Sequence, residues 1–234
     1  GAEKKYKIAK QRDLFSYRIK YTTLIGHYTN FHIESRWLDG ITFNQVGVEK
    51  SFGKNTVNFY FKSIGMANGR HIYWPYFDTF TREGKLNNTL NIDYTRKYSY
   101  KHGNGIINSG LRGSTLTKDY GYGSIKLEVI NNNKFGKFEV KTRFFAQAIT
   151  GINVADESIL NLAGANMEQL LESKFTRSRG FIPQEWLGYG VTTNHFQAGG
   201  GLNLRGYAGY LAPVENGNSV TPLYQGTHGT SASI

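Results

Sequence analysis

Hydrophobic and polar residues alternate along much of this chain with a period of two. The clearest case is GKFEVKTRFFAQA: Phe138, Val140, Thr142, Phe144 and Ala146 share one parity. Lys137, Glu139, Lys141, Arg143 and Gln147 share the other, interrupted only by Phe145. Successive side chains of a strand point to opposite faces, so this run predicts a strand with one apolar and one charged face. SIKLEVI sets Ile125, Leu127 and Val129 against Ser124, Lys126 and Glu128. With Asn131-Asn132-Asn133 read as the turn, the two runs form a hairpin.

Weaker alternation extends the pattern. Tyr17, Ile19 and Tyr21 oppose Arg18, Lys20 and Thr22; Phe31, Ile33 and Trp37 oppose His32, Glu34 and Arg36. Residues 41–52 and TVNFYFKS are further strands, joined across Gly53, Lys54 and Asn55. In NTLNIDYTRKYSY, Leu90, Ile92 and Tyr94 oppose Asn91, Asp93 and Thr95. The spacing predicts roughly eight to ten antiparallel strands. Residues 64–88, which include HIYWPYFDTF, read as a long aromatic loop or a bent strand pair. Residues 156–176 read as one short helix inside a long loop, from the spacing of Met167, Leu170, Leu171 and Lys174. No linker or low-complexity tract divides the chain, so residues 1–234 read as a single domain.

Composition sharpens this. The chain has 28 Gly, 16 Tyr and 15 Phe, but 4 Pro and no Cys. Such a mixture suits many strands and turns, not a helical bundle. The absence of Cys removes disulfides, thiolate nucleophiles and Cys-based zinc sites. Net charge is +11. Lys and Arg are spread among apolar residues rather than gathered in a patch, which argues against nucleic acid as a partner. A basic surface facing lipid head groups, or a polar lumen, places such charge better. No apolar run is long enough for a transmembrane helix, and GAEKKYKIAK is not a secretory signal peptide.

Two architectures share this alternation: a soluble sandwich, whose apolar face is core, and a membrane barrel, whose apolar face meets lipid. Aromatic residues gather near the strand ends, at Tyr17, Tyr21, Trp37, Phe52, Tyr98, Tyr100, Trp186 and Tyr189. The strands approach the ~9–11 residues that cross a bilayer. Both features favour an all-β, antiparallel transmembrane barrel, or a large part of one. Residues 156–180 should then lie outside the bilayer, because they carry Asp156, Glu157, Glu168, Glu172, Lys174, Arg177 and Arg179.

The common catalytic signatures are missing from the sequence. There is no His-Glu-x-x-His, and His27 and His32 do not share a helical face. No Gly-x-Ser-x-Gly elbow occurs. Gly53-Lys54, Gly84-Lys85 and Gly136-Lys137 lack the Ser or Thr of a P-loop, and Gly103-Asn104-Gly105 lacks the third glycine of a dinucleotide loop. No carboxylate pair stands out. The expectation is therefore no catalytic residue, no metal and no cofactor within this chain.

The stretch from His195 to Tyr207, HFQAGGGLNLRGY, resembles the arginine-glycine-aromatic loop of BamA-like outer-membrane assembly and secretion barrels. In that resemblance Gly200 and Gly201 form the approach, and Leu204, Arg205, Gly206 and Tyr207 the core of the motif. It implies a loop folded into the lumen, with Arg205 against polar or acidic groups of the inner wall. Asp93, Glu128 and Glu139, each on the polar side of a strand, are the candidate partners. The triplet Leu111-Arg112-Gly113 reads as a turn unrelated to that loop. With Ser178-Arg179-Gly180, the stretch also resembles, more loosely, barrels attached to zinc-aminopeptidase-like proteins of Bacteroidetes. Any peptidase domain would lie outside this chain. The resemblance implies a bacterial outer-membrane protein in contact with lipid, lipopolysaccharide and other envelope proteins, with a transport, assembly or anchoring role. Alternatives are the anchoring barrel of a surface peptidase and a soluble β-rich binding module with an aromatic ligand site. One departure is that 27 residues follow Tyr207. Pro213, Gly217, Pro222, Gly226 and Gly229 make that tail read as loop, so the chain reads as a segment of a longer barrel.

Overall fold

A computed structural model describes residues 16–38, 41–66, 84–114, 119–162, 164–166, 168–169, 200–204, 213–216, 219–222 and 225–234. Eight strands follow one another as a meander: β1 (Ser16–Gly26), β2 (Thr29–Leu38), β3 (Ile41–Phe52), β4 (Asn55–Met66), β5 (Leu86–Tyr100), β6 (Gly103–Gly113), β7 (Gly121–Phe135) and β8 (Phe138–Asn153). Short strands β9 (Leu160–Asn161), β10 (Pro213–Asn216), β11 (Ser219–Pro222) and β12 (Gln225–Gly226) come next, then β13 (His228–Ser233). β13 pairs with β8 and completes a nine-stranded antiparallel sheet, ordered β1 to β8 and then β13. β10 pairs with β11, and β9 with β12. Among the described residues no ladder joins the two edge strands, β1 and β13.

The turns follow simple backbone rules. Gly53-Lys54 and Gly136-Lys137 are two-residue hairpin loops, each with a glycine at φ near +60° in first place. A side chain is strained there, which is why glycine opens both loops. The turns after β1, β3, β5 and β7 all fall at one end of the sheet and are short. The longer connections, 67–85, 114–120 and the chain beyond β8, leave from the other end.

Register turns the sequence alternation into two unlike faces. Cross-strand partners share a face, so Thr23, Phe31, Val48, Phe59, Ile92, Leu111, Ile125 and Ala148 form one row across eight strands. Phe59, Leu111, Ile125 and Phe138 on this face are each more than half exposed. Among the described residues of the nine-stranded sheet, Lys50 and Arg96 are the only Lys, Arg, Asp or Glu on this face. The opposite face carries Lys20, Glu34, Lys62, Asp93, Arg112, Lys126, Glu128 and Arg143.

The cores sit on this charged face. Phe145, which breaks the alternation of β8, is buried there against Leu160 and Leu202, with Leu162 and Leu204 beside them. Tyr120, Tyr122, Ile149 and Ala155 form a second cluster. Chain leaving β8 thus folds back over the charged side, and no described residue outside the sheet covers the apolar side.

The hairpin of β7 and β8 is as expected, but its turn is Gly136-Lys137. Asn131, Asn132 and Asn133 pair within the ladder opposite Thr142, Lys141 and Val140. Alternation continues through the asparagines, and a glycine able to adopt positive φ fixes the turn. Phe138, Val140 and Phe144 do share the uncovered face, whereas Glu139, Lys141 and Arg143 share the other; Lys137 lies in the turn. Leu111-Arg112-Gly113 is the end of strand β6, not a turn. The tail read as loop is largely strand: Pro213 and Pro222 sit in β10 and β11, Gly226 in β12 and Gly229 in β13. A Cβ at Gly229 would come 2.7 Å from the Leu202 side chain, so the glycine marks close packing. Of residues 64–88, Ile64–Met66 and Leu86–Asn88 are strand and 67–83 lie outside the described residues, as do Trp186 and Tyr189. Of residues 156–176, Asp156–Ser158 form a 3-10 turn, Leu160–Asn161 are β9, and Glu168 and Gln169 are helical; 163, 167 and 170–176 lie outside the described residues.

Gly47 offers a direct check of the register. A Cβ there would fall 2.4 Å from Tyr60 Cβ and 2.6 Å from the Phe59 carbonyl oxygen. Gly47→Val should destabilise the sheet by about 1–3 kcal/mol through overpacking. Gly53→Ala should cost about 1 kcal/mol through its positive φ. Denaturant midpoints compared with the parent chain would measure both; an unchanged midpoint for Gly47→Val would contradict the β3–β4 register.

Candidate functional site

Strand pairing lines up Tyr60, Asn91, Arg112 and Ser124 in one row on the charged face, with Lys62 next to Tyr60 on that face of β4. The segment after β8 is laid over this row. The 3-10 turn buries Glu157 and Ser158, and ten residues after Ser158 Glu168 is buried as well.

Glu168 is the hub. Its two carboxylate oxygens accept from Arg112 Nη1 at 2.6 Å and Nη2 at 2.7 Å, a bidentate pair. Lys62 Nζ donates to Glu168 Oε1 at 2.7 Å. The side chains of Lys62 and Glu168 are 4% and 5% exposed, so all three charges are largely removed from water. Arg112 Nε also donates to Asn91 Oδ1 at 2.7 Å. Ser158 Oγ donates to Glu168 Oε2 at 3.1 Å and lies 3.0 Å from Tyr122 Oη. Asn87 Nδ2 donates to Glu157 Oε1 at 2.6 Å. Burial pushes the Glu168 carboxyl up, but the adjacent Arg112 and Lys62 more than reverse this and hold it well below the usual carboxylate range.

The in-folded segment also has its own order. Asn166 N–H donates to Gln169 Oε1 and Gln169 N–H to Asn166 Oδ1, at 3.0 and 2.9 Å. These reciprocal bonds form a capping box, the start signature of a helix. Met167, Leu170, Leu171 and Lys174, on which the helix was expected, lie outside the described residues, as do residues 172–180.

The described part of the glycine-rich loop lies on the same face. Gly200 and Gly201 have φ of 142° and 50°, and a Cβ on Gly201 would sit 2.4 Å from the Gly164 carbonyl oxygen. Arg143 Nη2 donates to the Gly201 carbonyl at 2.7 Å, and Leu204 N–H donates to the Leu162 carbonyl at 2.9 Å. Arg205, Gly206 and Tyr207 lie outside the described residues, together with 191–199. Of the acids expected near Arg205, Asp93 accepts from Tyr60 Oη at 2.8 Å and Glu128 accepts from Arg143 Nε at 2.7 Å. Glu139 is exposed near the β7–β8 turn.

Sequence reasoning missed Glu168, Glu157, Lys62 and Arg112. The triplet around Arg112 looks like a turn in sequence, but its parity within β6 places Arg112 opposite Asn91 on the charged face. A second ion cluster lies on β1 and β2, where Arg18 and Arg36 both donate to buried Glu34, and the Arg36 guanidinium stacks over Phe43.

Chemically the site holds charge. A carboxylate already neutralised by two cations is a poor general base. Among the described residues no group of three His, Cys, Asp or Glu is placed to bind a metal ion. Compared with known proteins, the chain matches no family model, no curated protein and no solved structure.

Removing one member of a buried ion cluster leaves the others unpaired and costs about 3–5 kcal/mol. Glu168→Gln and Arg112→Ala should therefore release residues 157–169, read as faster proteolytic cleavage there while the strand signal persists. Unchanged cleavage in both would refute the hub. The pH dependence has a definite sign. The folded pKa of Glu168 is lowered, so its contribution is full above the ordinary value of 4.5 and is lost as pH falls through the lowered one. Hydrogen-exchange protection at 157–169 should survive mild acid and fail only in strong acid.

Proposed function

We propose that this chain is the wall of an outer-membrane β-barrel, or a large part of one, with residues 155–162, 164–166, 168–169 and 200–204 folded against the inside of that wall. The observation that carries this reading is the contrast between the two faces. Among the described residues the apolar face is continuous across eight strands and uncovered, while chain packs onto the charged face. A soluble sandwich buries its apolar face; a membrane barrel presents that face to lipid and keeps the polar one inside.

Further features support the reading. Strands β1 to β8 run from 10 to 16 residues, enough to cross a bilayer when tilted. Four short turns at one end, and longer connections at the other apart from 39–40, match the asymmetry of such barrels. Phe52, Tyr98, Tyr100, Phe135 and Phe138 gather on the uncovered face toward the short-turn end, the level of an interfacial aromatic belt. Lys50, Lys54, Arg96, Lys101 and Lys137 at that end suit the phosphates of lipid or lipopolysaccharide. Closure of the sheet would come from chain beyond its two edges.

A wall lined inside by tied-down chain suits an anchoring, assembly or gated transport role better than an open diffusion pore. The BamA-like resemblance of the glycine-rich loop agrees with such a role. A peptidase-anchoring barrel is a special case of this reading.

Flotation with liposomes tests the proposal. The folded chain should float with the lipid. Phe59→Arg, which puts a charge in the middle of the apolar face, should disfavour insertion by about 2–4 kcal/mol. Thr56→Lys, on the charged face, should leave insertion unchanged. A chain that stays folded and monomeric in water without lipid or detergent would overturn the membrane reading in favour of a soluble module.

A further inference from the structure

Between the charged face of β4 to β8 and the in-folded segment lies a polar cavity of about 130 Å³. On that measure one water needs only ~10–15 Å³, so there is room for a larger guest. Lys62, Arg112 and Lys126 bring three positive charges to its lining, against the two negative charges of Asp93 and Glu168. Lys62 and Arg112 are both committed to Glu168, and Asp93 accepts from Tyr60. The lining is thus left with one positive charge in excess.

Three donors of the lining are uncommitted. Among the described residues the side chains of Lys126, Ser124 and Gln147 have no hydrogen-bond or ion-pair partner. They are neighbours by register: Lys126 and Ser124 are two apart on the same face of β7, and Gln147 lies directly opposite Lys126 on β8. Gly110, beside Lys126 on β6, keeps the space open. A Cβ there would fall 2.7 Å from Asp93 Oδ1 and 3.4 Å from Lys126 Cε.

We infer that Lys126, Ser124 and Gln147 form a binding site for a small oxyanion of the phosphate class within this cavity. An ammonium, a hydroxyl and an amide can together donate to several oxygens of such an ion, and it would neutralise the excess charge. The neighbouring ion cluster is already satisfied and serves as a fixed wall. The inference goes beyond the membrane proposal and does not rest on it, because the cavity is bounded by the charged face and the in-folded segment whatever covers the other face.

The test is calorimetric titration of inorganic phosphate into the purified 234-residue chain in neutral detergent, at constant ionic strength and with chloride as the reference anion. Saturable binding is expected for the parent chain. Lys126→Gln should weaken it by roughly tenfold or more, equivalent to about 1.4 kcal/mol. Lys126→Arg should retain it, and Lys97→Gln, an exposed residue whose side chain is not part of the cavity lining, should leave it unchanged. Circular dichroism establishes that each variant keeps its strands. If Lys126→Gln does not fold, Ser124→Ala and Gln147→Ala replace it, and each should weaken binding. No saturable binding by the parent chain, or undiminished binding by Lys126→Gln or by both replacement variants, would overturn the site.

Discussion

A strand sends neighbouring side chains to opposite faces, and this chain keeps that alternation in phase across eight strands. A shift of one residue in any ladder would carry a row such as Phe59, Ile92 and Leu111 to the charged side. Everything else depends on that phase. It creates an apolar surface that no part of the described chain covers, and it gathers arginine, lysine and carboxylate side chains on the other surface. Those charges then need partners, and the chain beyond β8 brings some of them.

Glu168 shows how that requirement shapes the charged face. An isolated carboxylate would not be buried as an ion. Here its two oxygens accept three hydrogen bonds from two cations, and Ser158 adds a fourth. Lys62 on β4 and Arg112 on β6 are separated by β5, so one side chain of the in-folded segment ties together a three-strand span of sheet. Apolar contacts hold the rest of that segment: Leu160 and Leu202 pack on Phe145, and Ala155 on Tyr122 and Ile149. Electrostatics fix where the segment docks, and burial of these few large side chains holds it down.

Much of the sheet was legible because alternation is a local signal. The runs around Leu127 and Val140 place both strands and their faces. The turn between them was misplaced, since three asparagines look like a turn, whereas the ladder needs only one glycine at positive φ, Gly136. The tail was misread for a similar reason. Pro213, Pro222 and Gly229 lower strand propensity, yet pairing with β11 and β8 overrides it. The ion hub was not legible. Lys62 and Arg112 are 50 residues apart in sequence, Glu168 is a further 56 away, and only tertiary pairing brings them together. Phe145, an exception in the alternation, was the one local sign that the charged face is covered.

The central claim is that the uncovered face meets lipid and the charged face does not. Spin labels placed singly along β8, from residue 138 to residue 149, read this directly in liposomes through their accessibility to oxygen, which partitions into lipid, and to a water-soluble nickel chelate. The account predicts period-two oscillation, with labels at 140, 142, 144 and 146 favouring oxygen and labels at 139, 141, 143 and 147 shielded from it. Equal accessibility to the nickel chelate along both parities, or oxygen preference on the charged parity, would contradict it.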